Sequence, residues 1–378
     1  MKIGIYTLPL NYNYGGLLQA YALQTVLERM GHEVVVIDRP YIKKVNIFNH
    51  SRELLRRLKA KYIGKKNIRI FNEAYEHKVY PEIEVNTRKF INQYIHHITI
   101  DNPNLLSKNN FDAIVVGSDQ IWRAGILGNS KNRYNSFLEF AKNWDCKRIA
   151  YAPSFGVDTW EYSDDETKVC QRLIKRFDAI SVREQSGIKL CKEHLYMDAN
   201  RVLDPTLLLT KEDYIKLLHQ FTFSSQSQEK PQEKLMAYIL DDSDWKMRIV
   251  NTCATQLNIK AFKVNSKADD IWAPIEERIQ PPVEDWIKGF RDSDYIVTDS
   301  FHACVFSIIF GKPFLVIGNK NRGMARFTSL LEMFGLEDRL VGSDFDGKLP
   351  QSSMDDAQLK LKILSQESIA WLKDAIEN

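Results

Sequence analysis

The residues best suited to chemistry lie in Thr298-Asp299-Ser300-Phe301-His302-Ala303-Cys304, which is followed by VFSIIFGKPFLVI. An apolar strand pattern precedes this stretch and an apolar helix pattern follows it, closed by Gly311 and Pro313. Ser300 and His302 therefore fall at a strand-to-helix turn, where the first helical amides point outward and favour anions. A histidine there either caps the helix or exchanges a proton near neutral pH. Downstream, Asn319-Lys320-Asn321-Arg322-Gly323-Met324-Ala325-Arg326-Phe327 follows the apolar run Phe314 to Ile317. If a helix begins here, Arg322 and Arg326 share a face. They are then either a solvated pair or a bidentate clamp for phosphate or carboxylate. Arg183 ends another apolar run and is either an anion ligand or paired with its own neighbours.

Two further loops carry candidate residues. Asn11-Tyr12-Asn13-Tyr14-Gly15-Gly16 follows the first apolar run, and its glycines permit close backbone approach. Gly117-Ser118-Asp119-Gln120 follows Ala113 to Val116. Trp122, just beyond it, either stacks on a sugar or packs in the core.

These loops need elements that place them together. Ile3 to Leu8 predicts a strand. Leu17, Tyr21, Leu23, Val26, Leu27 and Met30 recur at helical spacing, and Gly31 stops that helix. Val34 to Ile37 is a β-branched run of the kind buried on both faces. Strand, helix, strand at this spacing is a βαβ unit with a parallel sheet. Arg148 to Tyr151 and Ala179 to Val182 continue the theme, as do Leu235 to Leu240, Ala261 to Val264, Tyr295 to Val297 and Phe314 to Ile317. In such sheets ligands bind beyond the carboxyl ends of the strands. The candidate residues all lie there.

The 378 residues suit two domains. The boundary is expected between Asp204-Pro205 and the polar stretch Ser224 to Glu233. That gives an α/β domain over 1–205, with a basic helical insert at about 43–70, and a second over 206–378. A final helix from Ser365 to Ile376 is expected to pack back on the first domain. The formal charge is only +3, but it is unevenly placed. Lys43 to Arg69 holds ten Lys and Arg against Glu53, a net +9, which leaves −6 on the remainder. Leu54, Leu55, Leu58 and Tyr62 lie near one face of the insert, with Arg56, Arg57, Lys59 and Lys61 around them. This makes it either a membrane-surface helix or a solvated basic one.

Composition and motifs remove other classes. Hydrophobic and charged fractions of 44% and 27% are those of a globular protein, and no apolar run approaches a spanning helix. The apolar part of the first residues is short for a signal peptide and lacks a small-residue cleavage site, so a cytoplasmic protein is expected. Cys146, Cys170, Cys191, Cys253 and Cys304 are scattered, odd in number and never in a CxxC pair, so reduced thiols are expected. GxGxxG and GxxxxGK[ST] are absent, which argues against nicotinamide and P-loop nucleotides. HExxH, GxSxG and EF-hand patterns are absent too, and the adjacent His96 and His97 point apart. No metal and no resident cofactor are expected, and no nucleic-acid partner, because the body outside the insert is acidic and no reader motif occurs.

Seven segments in order resemble one family: NYGGLLQAYALQTVLERMGHEV from Asn13, FDAIVVGSDQIW from Phe111, YAPSFG from Tyr151, SVREQSG from Ser181, VLDPTLLL from Val202, TDSFHACVFSIIFGKPF from Thr298 and NRGMARFTSLLEMFGL from Asn321. Their order and spacing are similar to the polysaccharide pyruvyl transferase family over nearly the whole chain. The resemblance implies two Rossmann-like domains facing a cleft, like the GT-B glycosyltransferases. It also implies transfer of pyruvate from phosphoenolpyruvate to a sugar as a cyclic ketal. His302 matches the family's histidine, but the Arg two places before it and the Gly after it are here Ser300 and Ala303.

With that chemistry in view, Arg183, Arg322 and Arg326 are expected to hold the phosphoenolpyruvate anion. Ser300, Asn13, Tyr14, Gly15, Gly16, Ser118 and Gln120 are expected to line the substrate sites. His302 would be a donor ligand or general acid, and Asp119 or Asp299 the base toward the acceptor hydroxyls. The expected acceptor is a bacterial surface polysaccharide or its polyprenyl-linked precursor, met at the inner face of the membrane through 43–69. A nucleotide-sugar glycosyltransferase of the same architecture and a non-catalytic saccharide-binding protein are the alternatives.

Overall fold

A computed structural model of the chain describes residues 1–39, 56–64, 69–108, 110–219, 234–318 and 323–378. The first half contributes strands β1 Lys2–Tyr6, β2 Glu33–Asp38, β3 His97–Thr99, β4 Ala113–Val116, β5 Lys147–Ala150, β6 Ala179–Val182 and β7 Asn200–Arg201. The second contributes β8 Lys234–Tyr238, β9 Lys260–Lys263, β10 Tyr295–Thr298, β11 Phe314–Ile317 and β12 Leu340–Val341. They form a seven-stranded sheet ordered β3-β2-β1-β4-β5-β6-β7 and a five-stranded sheet ordered β12-β11-β10-β8-β9. The paired strands run parallel in both. The two-domain α/β arrangement expected from the sequence is present. The central strands β4, β10 and β11 are buried at every residue, which is why they read as unbroken apolar runs.

Each sheet has one place where the strand order reverses. In the first the chain leaves β1 toward β2 and β3, then returns to lay β4 against the other side of β1. In the second, β9 and β10 lie on opposite sides of β8. Loops diverge at such points and leave a crevice beyond the strand ends.

Two helices connect these reversals to the core. Helix Tyr14–Arg29 starts at Asn13, whose Oδ1 accepts from Gly15 N at 3.1 Å, and ends where Gly31 takes φ +90°. Helix Phe301–Ile309 is buried at all nine residues, so it shows no polar face in the sequence. One continuous apolar core includes Ile3, Leu17 and Tyr14 from the first domain and Trp286, Phe306 and Ile308 from the second. The two sheets are thus packed around shared side chains.

The C-terminal helix runs from Met354 to Glu377, beginning well before Ser365. Its first half buries only Ala357 and leaves Leu359 and Ile363 exposed, so its apolar period is weak there. It does return to the first domain. Lys147 Nζ donates to Ile376 O at 2.7 Å, Leu203 N donates to Ser368 Oγ at 3.0 Å, and the Trp371 ring lies 6.1 Å from that of Tyr151. All five cysteines are free thiols, four of them buried. Of the basic insert, 56–62 is helical, while Leu54, Leu55 and the other residues of 43–55 lie outside the described residues.

One cap in the first domain yields a stability prediction. Ser163 and Glu166 form a reciprocal capping box on helix Asp164–Ile174. Glu166 also accepts from Ser130 Oγ at 2.7 Å and from Arg133 Nη1 at 2.8 and 2.9 Å. Burial opposes its charge, but the bonds from Ser130, Ser163 and Arg133 outweigh burial and pull the carboxyl down to about 2. Glu166→Gln should cost about 1–3 kcal/mol at neutral pH. Because the folded value is depressed, the wild-type advantage is full above the usual carboxylate range and shrinks as pH falls toward 2. Urea unfolding of both proteins from pH 7 to pH 3 checks this.

Candidate active site

The two reversal points face each other across a cleft of about 860 Å³. Asn13, Gly15, Asp119 and Gln120 line it from the first domain, and Asp299, Ser300, His302 and Arg326 from the second. Eight expected site residues from four distant stretches of chain therefore meet. Arg322 lies outside the described residues.

The other expected residues sit behind the walls. Tyr14 is buried in the domain seam, its hydroxyl donating to Pro281 O at 2.8 Å and its ring 5.5 Å from that of Trp286. It shapes the cleft and does not line it. Gly16 offers its carbonyl to Gln19 Nε2 at 3.0 Å. Ser118 is fully buried, donating from Oγ to Ala152 O at 2.8 Å and from N to Gln19 Oε1 at 2.9 Å. Trp122 is a correction to sugar stacking: it has no exposed surface and stacks on Phe137 with ring centres 5.0 Å apart. Phe137 and Phe155 pack against it, and the neighbouring residue Arg123 reaches the cleft beside Asp119 and Gln120.

The cleft floor is a buried charge cluster. Arg183 Nη1 donates to Asp204 Oδ2 at 2.6 Å, and its Nη2 lies 3.5 Å from Asp119 Oδ1. Arg326 Nη1 lies 3.9 Å from the same Asp119 oxygen. Phe301 presents its ring to both guanidinium groups, 4.5 Å from Arg183 Cζ and 5.2 Å from Arg326 Cζ. His302 Nε2 is 3.6 Å from Asp204 Oδ2, outside hydrogen-bond range, and finds no hydrogen-bond partner among the described residues. The other Asp204 oxygen accepts from Thr206 N and Thr206 Oγ1 at 3.0 and 2.6 Å.

Electrostatics follow from this packing. Burial works against the Asp204 charge, but the His302 and Arg183 contacts dominate and hold the carboxyl far below the ordinary carboxylate range. Arg183 is thereby neutralised inside the wall. Arg326 has the opposite balance: burial, then the neighbouring Arg183 charge, push it down to about 10.

Close approach fixes the histidine. A Cβ on Gly15 would lie 2.0 Å from His302 Nδ1 and 2.3 Å from its Cγ, so the imidazole of one domain rests on the glycine of the other. Ser300 precedes helix Phe301–Ile309 without capping it through its side chain. Asp299 is tied down: it accepts from Lys246 Nζ at 2.6 Å, Leu240 N at 2.7 Å and Asp241 N at 3.3 Å. Its carboxylate clamps the β8 loop to the start of that helix. Sequence reasoning missed Asp204 and Arg123. Asp204 lies inside a quoted motif and Arg123 directly follows one, but only the fold brings Asp204 to Arg183 and His302.

Buried arginines, an imidazole and a helix N-terminus thus face a carboxylate across an interdomain cleft. The chain belongs to the polysaccharide pyruvyl transferase family, whose model matches residues 13–321. It is accordingly a transferase that moves pyruvyl groups to polysaccharide. In overall shape it is similar to UDP-GlcNAc 2-epimerase from Neisseria meningitidis, at 12% identity and TM-score 0.46, covering 100% of this chain and 95% of that one. A glycosyltransferase from Rickettsia africae is similar at 11% identity and TM-score 0.46, covering 99% and 94%. UGT89C1 from Arabidopsis thaliana is similar at 10% identity and TM-score 0.46, covering 98% and 93%. At those scores the likeness says nothing about chemistry or substrates. No curated protein matches the chain.

Proposed function

We propose that the chain transfers pyruvate from phosphoenolpyruvate to two hydroxyls of one sugar, forming a cyclic ketal and releasing phosphate. The observation that carries this reading is that Arg326, packed over the Phe301 ring, and His302 line one cleft with Asp119. The donor anion lies against Arg326, Ser300 and the first amides of that helix. Arg183 supports the site from behind, through Asp119 and Asp204.

The chemistry balances with these groups. His302 delivers a proton to the methylene carbon, and the adjacent carbon becomes oxocarbenium-like. The first sugar hydroxyl attacks that carbon, and Asp119 takes its proton. The second hydroxyl then replaces phosphate, which leaves carrying that hydroxyl's proton. Asp119 returns its proton to His302 through solvent or phosphate. Asp299 is assigned to loop anchoring, because its oxygens already face Lys246 and two backbone amides.

The acceptor in this reading is a sugar of a bacterial surface polysaccharide or its polyprenyl-linked precursor, met at the inner face of the cell membrane. Calorimetric titration with phosphoenolpyruvate tests the donor. Wild type should bind it, and His302→Ala should bind it more weakly by about tenfold. Absence of binding, with and without saccharide present, defeats the reading.

A further inference from the structure

We propose that Tyr62, Ile63, Phe71 and Trp272, with Lys59, Lys61 and Arg69 beside them, form a face that docks on an anionic lipid bilayer beside the mouth of the cleft. Tyr62, Ile63 and Phe71 are 70%, 73% and 63% exposed, and Trp272 is 46% exposed. Three come from the basic insert and its exit, and the fourth comes from the other domain.

Specific contacts join them. Arg57 Nη1 donates to Ile70 O at 3.2 Å, tying helix 56–62 to the segment that carries Phe71. The Arg69 guanidinium lies 3.7 Å from the Tyr75 ring centre and 5.0 Å from that of Trp272. Trp272 N donates to Asp270 Oδ1 at 2.9 Å, and Ala268, Asp269 and Asp270 line the cleft. Ala268 packs with Val79 and Ile83 of the following helix. The exposed aromatics thus border the cleft opening.

Charge selects the occupant. Among the described residues of the insert, Arg56, Lys59 and Lys61 are exposed, against Asp269 and Asp270 beside Trp272. A second copy meeting this face would set like charges against each other. A bilayer with anionic headgroups offers countercharge to the exposed Lys59 and Lys61, and its interface accepts Tyr, Trp, Phe and Ile side chains. The cleft then opens next to the membrane surface. This proposal does not depend on the transferred group or the donor.

The test is co-sedimentation of the full chain with vesicles of phosphatidylcholine alone and of phosphatidylcholine with phosphatidylglycerol, at low and high salt. Binding is expected to the anionic vesicles only, and to weaken with salt. Lys59→Glu with Lys61→Glu should reduce it by about tenfold or more. Phe71→Ser with Trp272→Ser should also reduce it by about tenfold, with the circular dichroism spectrum unchanged. Failure to bind anionic vesicles, equal binding to neutral ones, or binding unaffected by the Phe71 and Trp272 pair overturns the proposal.

Discussion

Replacing Arg326 by methionine should lower kcat/KM for phosphoenolpyruvate by about 30- to 1000-fold, equivalent to about 2–4 kcal/mol of transition-state stabilisation. The side chain is buried, and its cationic form is disfavoured by that burial and by Arg183. Asp119 lies between it and Arg183, which also pairs with Asp204. In the proposed reading the donor anion lies against this guanidinium, and removing the charge removes that contact. Methionine keeps much of the packing against Phe301. Asp119 keeps Arg183 as a partner, so the variant should stay folded with at most a modest drop in the urea midpoint. Arg326→Lys should recover only part of the activity, since an ammonium lacks the planar fork that pairs with phosphate or carboxylate. Steady-state kinetics with urea unfolding of the same samples reads both effects. An unchanged kcat/KM, or a loss that merely follows instability, contradicts the role.

Gly15→Ala should abolish activity as completely as His302→Ala. Local energetics point the other way, because alanine is favoured over glycine in a helix by up to about 1 kcal/mol. The new methyl, however, would sit 2.0 Å from Nδ1 and 2.3 Å from Cγ of His302. An atom as close to the side-chain root as Cγ cannot be cleared by rotating the ring, so the imidazole must leave its place. The activity loss should reach about 100-fold or more. The double variant, Gly15→Ala with His302→Ala, should be no less active than either single one and more stable than Gly15→Ala alone, because the clashing ring is gone. Additive losses would show that Gly15 acts by some route other than the histidine.

Much of this was legible beforehand, for definite reasons. Buried parallel strands must be apolar along their length, so β4, β6 and β11 are readable at Ala113–Val116, Ala179–Val182 and Phe314–Ile317. Loops at their carboxyl ends follow from parallel topology, which is why Asp119, Ser300, His302 and Arg326 could be nominated together. The strands His97–Thr99, Asn200–Arg201 and Leu340–Val341 are too short or too exposed to leave a run. Trp122 and Tyr14 are amphipathic side chains whose direction depends on packing partners far along the chain. Arg183 illustrates the same limit: its type and its place at a strand end suit a ligand, yet Asp204, 21 residues on, satisfies it inside the wall. Contacts between domains, such as Gly15 with His302, have no local signature at all.

The central claim is pyruvyl transfer from phosphoenolpyruvate within this cleft. The most direct measurement is to incubate the enzyme with carbon-13-labelled phosphoenolpyruvate and a panel of saccharides bearing free neighbouring hydroxyls, following phosphate release and the labelled carbons by NMR. The account predicts phosphate release matched one for one by a new ketal carbon and methyl signal on the saccharide, and loss of both in Arg326→Met. Phosphate release without a ketal signal, or turnover of sugar nucleotides in place of phosphoenolpyruvate, would contradict it.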